Sequence, residues 1–123
     1  MVMIGHISIQ CDDIDASRNF YDAVLRPLGG QILIETGDVF GYGTTQPEFF
    51  LGRHVTGDGF RESHIAFGAP SRSAVEEFFA AAVSTGAEVL HEPRLWPEYH
   101  PAYFAAFVRD PDGNNVEAGC LTE

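Results

Sequence analysis

Ile4-Gly5-His6-Ile7-Ser8-Ile9 alternates apolar with small or polar residues, the period of a half-buried strand. The alternation returns in the same phase at Glu62-Ser63-His64-Ile65-Ala66-Phe67, an offset of 58 residues from His6 to His64. Fourteen residues after each histidine stands an aromatic pair, Phe20-Tyr21 and then Phe78-Phe79. In the second copy Val75, Phe78, Phe79, Ala82 and Val83 form one apolar helical stripe. In the first, Phe20, Tyr21, Val24, Leu25 and Leu28 do the same. Asp13 or Asp15 can cap the first helix, and Pro27 with Gly29-Gly30 closes it. Ser73 with Glu76 reads as a capping box for the second, and Gly86 suits its end.

The pattern predicts the same order of elements twice. First strands fall at about 3–9 and 62–68, and helices at about 14–28 and 72–85. Three strands follow each helix, at about 31–36, 38–43 and 47–52, then at about 87–92, 103–109 and 115–120. Gly41 and Gly43 weaken the strand at 38–43. Residues 93–101 read as a proline-rich loop, and Asp110-Pro111-Asp112-Gly113 as a turn with proline second and glycine at positive φ. The reading is α+β: two tandem βαβββ modules within a single domain spanning 1–123. Module one covers about 1–52, a polar linker about 53–61, and module two about 62–123. A unit of about 60 residues buries little surface alone. The two units should therefore share a core or pair with a second chain, and a homodimer is expected.

Composition narrows the function. Seven basic residues stand against 18 acidic ones, a formal charge of −11, which disfavours nucleic acid and anionic membranes as partners. All seven basic residues are arginine, so Schiff-base chemistry and a P-loop lysine are excluded. Cys11 and Cys120 lack metal or redox spacing and read as a reduced, structural pair. No apolar run approaches the ~18 residues of a membrane span. The first ten residues lack the basic and long apolar regions of a signal peptide, so a cytoplasmic location is expected.

His6 and His64 hold equivalent places in the two first strands. A lone histidine there is ordinarily a satisfied core side chain. Two related by a repeat can face one another, and imidazole is the commonest metal ligand. Glu117, in Asn115-Val116-Glu117-Ala118-Gly119, points away from the face shared by Val116 and Ala118. It is either a solvated carboxylate or a ligand facing the imidazoles. Two histidines and one carboxylate with open positions suit Fe(II), Mn(II) or a catalytic Zn(II).

The repeated βαβββ order, the matched His6 and His64, and the closing DPDGNNVE of Asp110 to Glu117 resemble the vicinal-oxygen-chelate superfamily. Glyoxalase I, bleomycin and fosfomycin resistance proteins and extradiol dioxygenases make up that group. The resemblance implies modules forming a cupped sheet around a divalent metal (Zn, Fe, Mn or Ni) that chelates adjacent oxygens of a small-molecule substrate. It implies His6, His64 and Glu117 as ligands, with no organic cofactor. Aligning Gly52 with Gly119 puts Phe50 where glyoxalase I has a fourth, glutamate ligand. Glu48, two residues away on the same strand face, could fill that place in a shifted register.

Trp96 to Phe104 mixes aromatic and titratable side chains and reads as a pocket wall, with His100 or Tyr99 as the proton-transfer group, or else as a packed loop. Phe49, Phe50, Tyr42 and Tyr103 would make the cup apolar. The leading function is a glyoxalase-like lyase or isomerase acting on an oxygen-rich substrate. The alternatives are an Fe(II) extradiol-type dioxygenase, or a non-enzymatic protein that sequesters a drug or other small molecule.

Overall fold

A computed structural model describes residues 3–121 of the chain. Two side chains start its helices. The Asp13 carboxylate accepts from the Ala16 N–H (3.1 Å) ahead of α1, Ile14–Leu25. The Ser71 hydroxyl accepts from the Ala74 N–H (3.1 Å) ahead of α2, Arg72–Ser84. Ser73, the expected cap, instead lies inside α2. The first helix ends before residue 28. Pro27 has no N–H to continue the ladder, so Arg26–Leu28 tightens into a 3-10 turn that Gly29 ends at φ 88°. Replacing Asp13 with alanine should lower stability by about 1 kcal/mol, read by chemical denaturation. An unchanged midpoint would show that the cap is idle.

The eight strands are β1 (Ile7–Cys11), β2 (Gln31–Thr36), β3 (Val39–Gly43), β4 (Phe49–Arg53), β5 (His64–Gly68), β6 (Val89–Leu95), β7 (Phe104–Arg109) and β8 (Asn115–Cys120). They form two four-stranded mixed sheets of identical plan, β1-β4-β3-β2 and β5-β8-β7-β6. In each, the first strand lies parallel to the last and every other pairing is antiparallel. Among the described residues, the outer strands β1 and β5 each keep one backbone edge without a strand partner.

Two strand limits differ from the sequence pattern. β1 begins at Ile7 rather than near residue 3, because its partner begins only at Phe49. The Ile7 N–H bonds the Glu48 carbonyl (2.8 Å), and among the described residues no strand extends beyond to pair with residues 3–6. His6 therefore precedes the strand. β6 runs on through Pro93 to Leu95, where a loop was expected. Its position at a sheet edge and two register irregularities against β7 accommodate the missing N–H. The glycine-bearing strand β3 does form. A Cβ at Gly41 would overlap the Ile34 and Phe50 side chains, and one at Gly43 the Gln46 carbonyl.

One face of each sheet packs against the helices in a single apolar cluster. Phe20, Tyr21 and Val24 of α1 and Val75, Phe78 and Ala82 of α2 meet Leu51, Val108 and Val116. Cys11 and Cys120 are buried and not disulfide-bonded, and burial pushes the Cys11 thiol up to about 11. Among the described residues no helix is long and apolar enough to cross a membrane.

Candidate functional site

The candidate residues lie on the face of each sheet turned away from the helices. In the second sheet, Ala66 and Phe107 flank Glu117 in register, and His91 stands opposite Phe107. His64, two residues before Ala66 on β5, shares that face. Its Nε2 lies 2.7 Å from Glu117 Oε1. The carboxylate is buried, with 7% of its side chain exposed, whereas the His64 side chain is 53% exposed. A buried carboxylate must be paired, and Glu117 has two partners: His64 on Oε1 and the Tyr103 hydroxyl, which donates to Oε2. Burial first, and then the bond to and charge of Glu117, raise the Tyr103 phenol well above its ordinary range, so it remains a donor.

Tyr103 is held by its own loop. Its carbonyl accepts from the Trp96 N–H (2.8 Å), and its N–H donates to the His100 carbonyl (3.0 Å). Trp96 is in turn fixed by Nε1–H donating to the Ala105 carbonyl (3.0 Å). Beside the carboxylate, Trp96 and Phe107 pack edge to face with ring centroids 5.0 Å apart. His91 lies 4.9 Å from the Trp96 ring and 5.5 Å from Phe107. The result is an aromatic wall next to a polar pair.

The first sheet holds the apolar counterpart. β1 pairs Ser8 with Phe50 and Gln10 with Gly52, as β5 pairs Ala66 with Glu117 and Gly68 with Gly119. Phe50 therefore occupies the place equivalent to Glu117, and Glu48 lies ahead of β4, exposed. The facing positions are exchanged too: Gly41 is opposite Phe50, while Phe107 is opposite Glu117. His6 is exposed, its ring edge-on to Phe50 at 5.2 Å.

Of the residues singled out in the sequence, His64 and Glu117 come together. His6 stays apart from them, and among the described residues no three His, Cys, Asp or Glu side chains form a metal-holding group within one chain. Tyr99 is exposed and stacks on Trp96 with centroids 5.8 Å apart. His100 is exposed, and its Nδ1 accepts from the Ala102 N–H (3.0 Å), so one ring nitrogen serves the turn. Neither is a hydrogen-bond partner of Glu117. Tyr103, which is, reads in the sequence as lining of an apolar cup. Gly119 leaves room for it, since a Cβ there would overlap the Tyr103 hydroxyl.

As donors to a divalent ion, an imidazole nitrogen and a carboxylate oxygen side by side are chemically apt. They fall one short of the three protein ligands that a catalytic site ordinarily holds. The pair suits a divalent ion in its chemistry, and among the described residues no third such donor of the chain joins it.

Comparison with known proteins adds the family. The model of the Glyoxalase/Bleomycin resistance protein/Dioxygenase superfamily matches residues 3–118. A glyoxalase/bleomycin resistance protein from Albidiferax ferrireducens T118 is 26% identical, with 97% of this chain and 99% of that one covered and a TM-score of 0.85. A lactoylglutathione lyase from Agrobacterium tumefaciens shares the fold at 20% identity, 98% and 94% coverage and a TM-score of 0.71. A glyoxalase-related enzyme from Fulvimarina pelagi does so at 20% identity, 98% and 88% coverage and a TM-score of 0.68. No curated protein matches the chain at significant similarity. With its two like-ordered sheets and a family match over nearly its whole length, the chain belongs to the glyoxalase/bleomycin resistance/dioxygenase superfamily.

Proposed function

We propose that the chain is a metal-dependent enzyme acting on a small, oxygen-rich organic substrate, with each site built by two copies. His64 and Glu117 come from one copy and His6 from the other. The observation that carries this reading is the buried Glu117 carboxylate paired to the exposed His64, with the equivalent His6 standing apart at the open edge of the other sheet. A twofold dimer that brings β1 of one copy beside β5 of the other would supply the missing imidazole twice over. It would also bring the exposed Ile7 of β1 to the seam between the copies.

A divalent ion, when bound, would supply Lewis-acid chemistry, holding substrate oxygens and stabilising developing negative charge. The chain's own residues do the rest. Tyr103 keeps Glu117 oriented, and Trp96 and Phe107 form a wall that shields the reacting atoms from water on one side. Phe50 at the fourth place favours a three-ligand site over the four-ligand arrangement of glyoxalase I. Tyr99, stacked on the wall with its ring centroid 6.3 Å from that of Tyr103, is the proton-transfer group adopted. A lyase or isomerase reaction is the reading adopted.

The test is metal content and activity together. Protein purified without chelator should carry close to one divalent ion per chain, and Glu117→Ala should lose it while melting cooperatively. A wild-type chain that neither carries nor takes up a divalent ion would leave the apolar, ligand-sequestering reading in its place. Turnover of catechols with oxygen uptake would instead favour the dioxygenase.

A further inference from the structure

We infer that Tyr103 is a positioning residue that commits Glu117 to ligation through one oxygen, Oε1. The inference rests on the metal reading above and adds a residue to it. The two carboxylate oxygens of Glu117 are already divided. Oε2 takes the Tyr103 hydroxyl, and Oε1 faces His64 Nε2 at 2.7 Å. Rotating the carboxylate to present both oxygens on the His64 side would break a partly buried hydrogen bond to a side chain that cannot easily follow. Tyr103 is tied at its carbonyl by the Trp96 N–H (2.8 Å) and at its N–H by the His100 carbonyl (3.0 Å).

The sheet is shaped for this bond. Gly119 lies two residues beyond Glu117 on the same face of β8, and the Tyr103 hydroxyl and ring occupy the space a Cβ would need. The equivalent glycine of the other sheet, Gly52, has nothing within 4 Å of its Cβ position. That sheet has Phe50 where the carboxylate would be, and so has no carboxylate to orient. The cleared glycine, the anchored tyrosine and the carboxylate thus occur together only in the half that carries the donor pair.

The consequence is chemical. A carboxylate bound through both oxygens takes two positions on a metal, and one bound through a single oxygen takes one. With two imidazoles, single-oxygen ligation keeps an additional position open for a substrate that binds through adjacent oxygens.

Chelator-stripped protein titrated with Co(II) tests this, because the visible absorption of Co(II) reports its coordination number without any turnover. Tyr103→Phe should weaken Co(II) binding on the order of tenfold and change the spectrum toward higher coordination. Gly119→Ala, which displaces the hydroxyl but keeps it in the chain, should change the spectrum in the same direction. Thermal melts of the metal-free variants verify that each is folded, and a merely structural tyrosine would move the melt but not the spectrum. If wild type takes up Co(II) and folded Tyr103→Phe matches its affinity within about twofold and its spectrum, the inference is overturned alone. If wild type takes up no Co(II), the metal reading falls and this inference falls with it.

Discussion

Mixed dimers of His6→Ala chains with His64→Ala chains should regain metal that neither variant holds alone. In a twofold dimer the interface occurs twice, so each copy lends His6 to its partner's site and receives the partner's His6 in return. Pairing the two variants concentrates both defects in one site and leaves the other with an intact His6, His64 and Glu117. Random association from equal amounts gives about half mixed dimers, each with one good site of two, so about a quarter of all sites recover. If each chain completed its own site, no mixture could contain an intact set, and metal content would stay at the level of the parents. Co-expression with two affinity tags, followed by elemental analysis of the doubly tagged dimer, separates these outcomes. The open edges of β1 and β5 motivate the crossed arrangement. An unpaired edge strand invites pairing with another chain unless something covers it. A protein that stays monomeric at micromolar concentration would sink the proposal without any mixing.

The repeat was legible because strand register preserves sequence offset. The 58-residue step from His6 to His64 also carries Gln10 to position 68, and Gly52 and Gly119 are the partners of those two positions. That register is what sets Phe50 on Glu117. What was not legible depended on contacts far apart in the chain. Alternation placed Glu117 opposite Val116 and Ala118, but its burial comes from Phe107 and Tyr103, which belong to the neighbouring strand and the loop before it. The same limit applied to Tyr103. Nothing local distinguishes a tyrosine lining a cup from one donating to a carboxylate fourteen residues on. The bond that His100 makes is local: its Nδ1 accepts from the Ala102 N–H, two residues on. Alternation at residues 3–6 describes a strand, but the parallel partner begins only at Phe49, too late in the chain to pair with them.

Asp110→Ala should be the most damaging single change outside the apolar core, costing about 3 kcal/mol or more. The turn Asp110-Pro111-Asp112-Gly113 forms as its residues suggest, with the Gly113 N–H on the Asp110 carbonyl (2.9 Å) and Gly113 at φ 99°. The Asp110 side chain does more than turn the chain. It is buried, and its two oxygens accept four hydrogen bonds. Oδ1 takes the N–H groups of Asp112 (3.0 Å) and Asn114 (2.8 Å). Oδ2 takes Asn114 Nδ2–H (3.0 Å) and the hydroxyl of Tyr21 (2.7 Å), 89 residues away on α1. The last bond fastens the β7–β8 hairpin, which carries Glu117, to the helix of the other half. Alanine strands the fully buried Tyr21 hydroxyl and the Asn114 N–H without a partner, and each such group costs about 1–3 kcal/mol. Against a total stability of about 5–15 kcal/mol this is a large fraction, and the melting temperature should fall by roughly 10 °C. Tyr21→Phe removes only the bond between the halves and should cost about 1–2 kcal/mol. Because the two residues share that bond, the double variant should lose less than the sum, by about 1 kcal/mol. Melts must be compared at one protein concentration, since dimer formation would make them concentration-dependent. An Asp110→Ala protein melting within about 2 °C of wild type, or costs that simply add, would show that the halves are held by apolar packing alone.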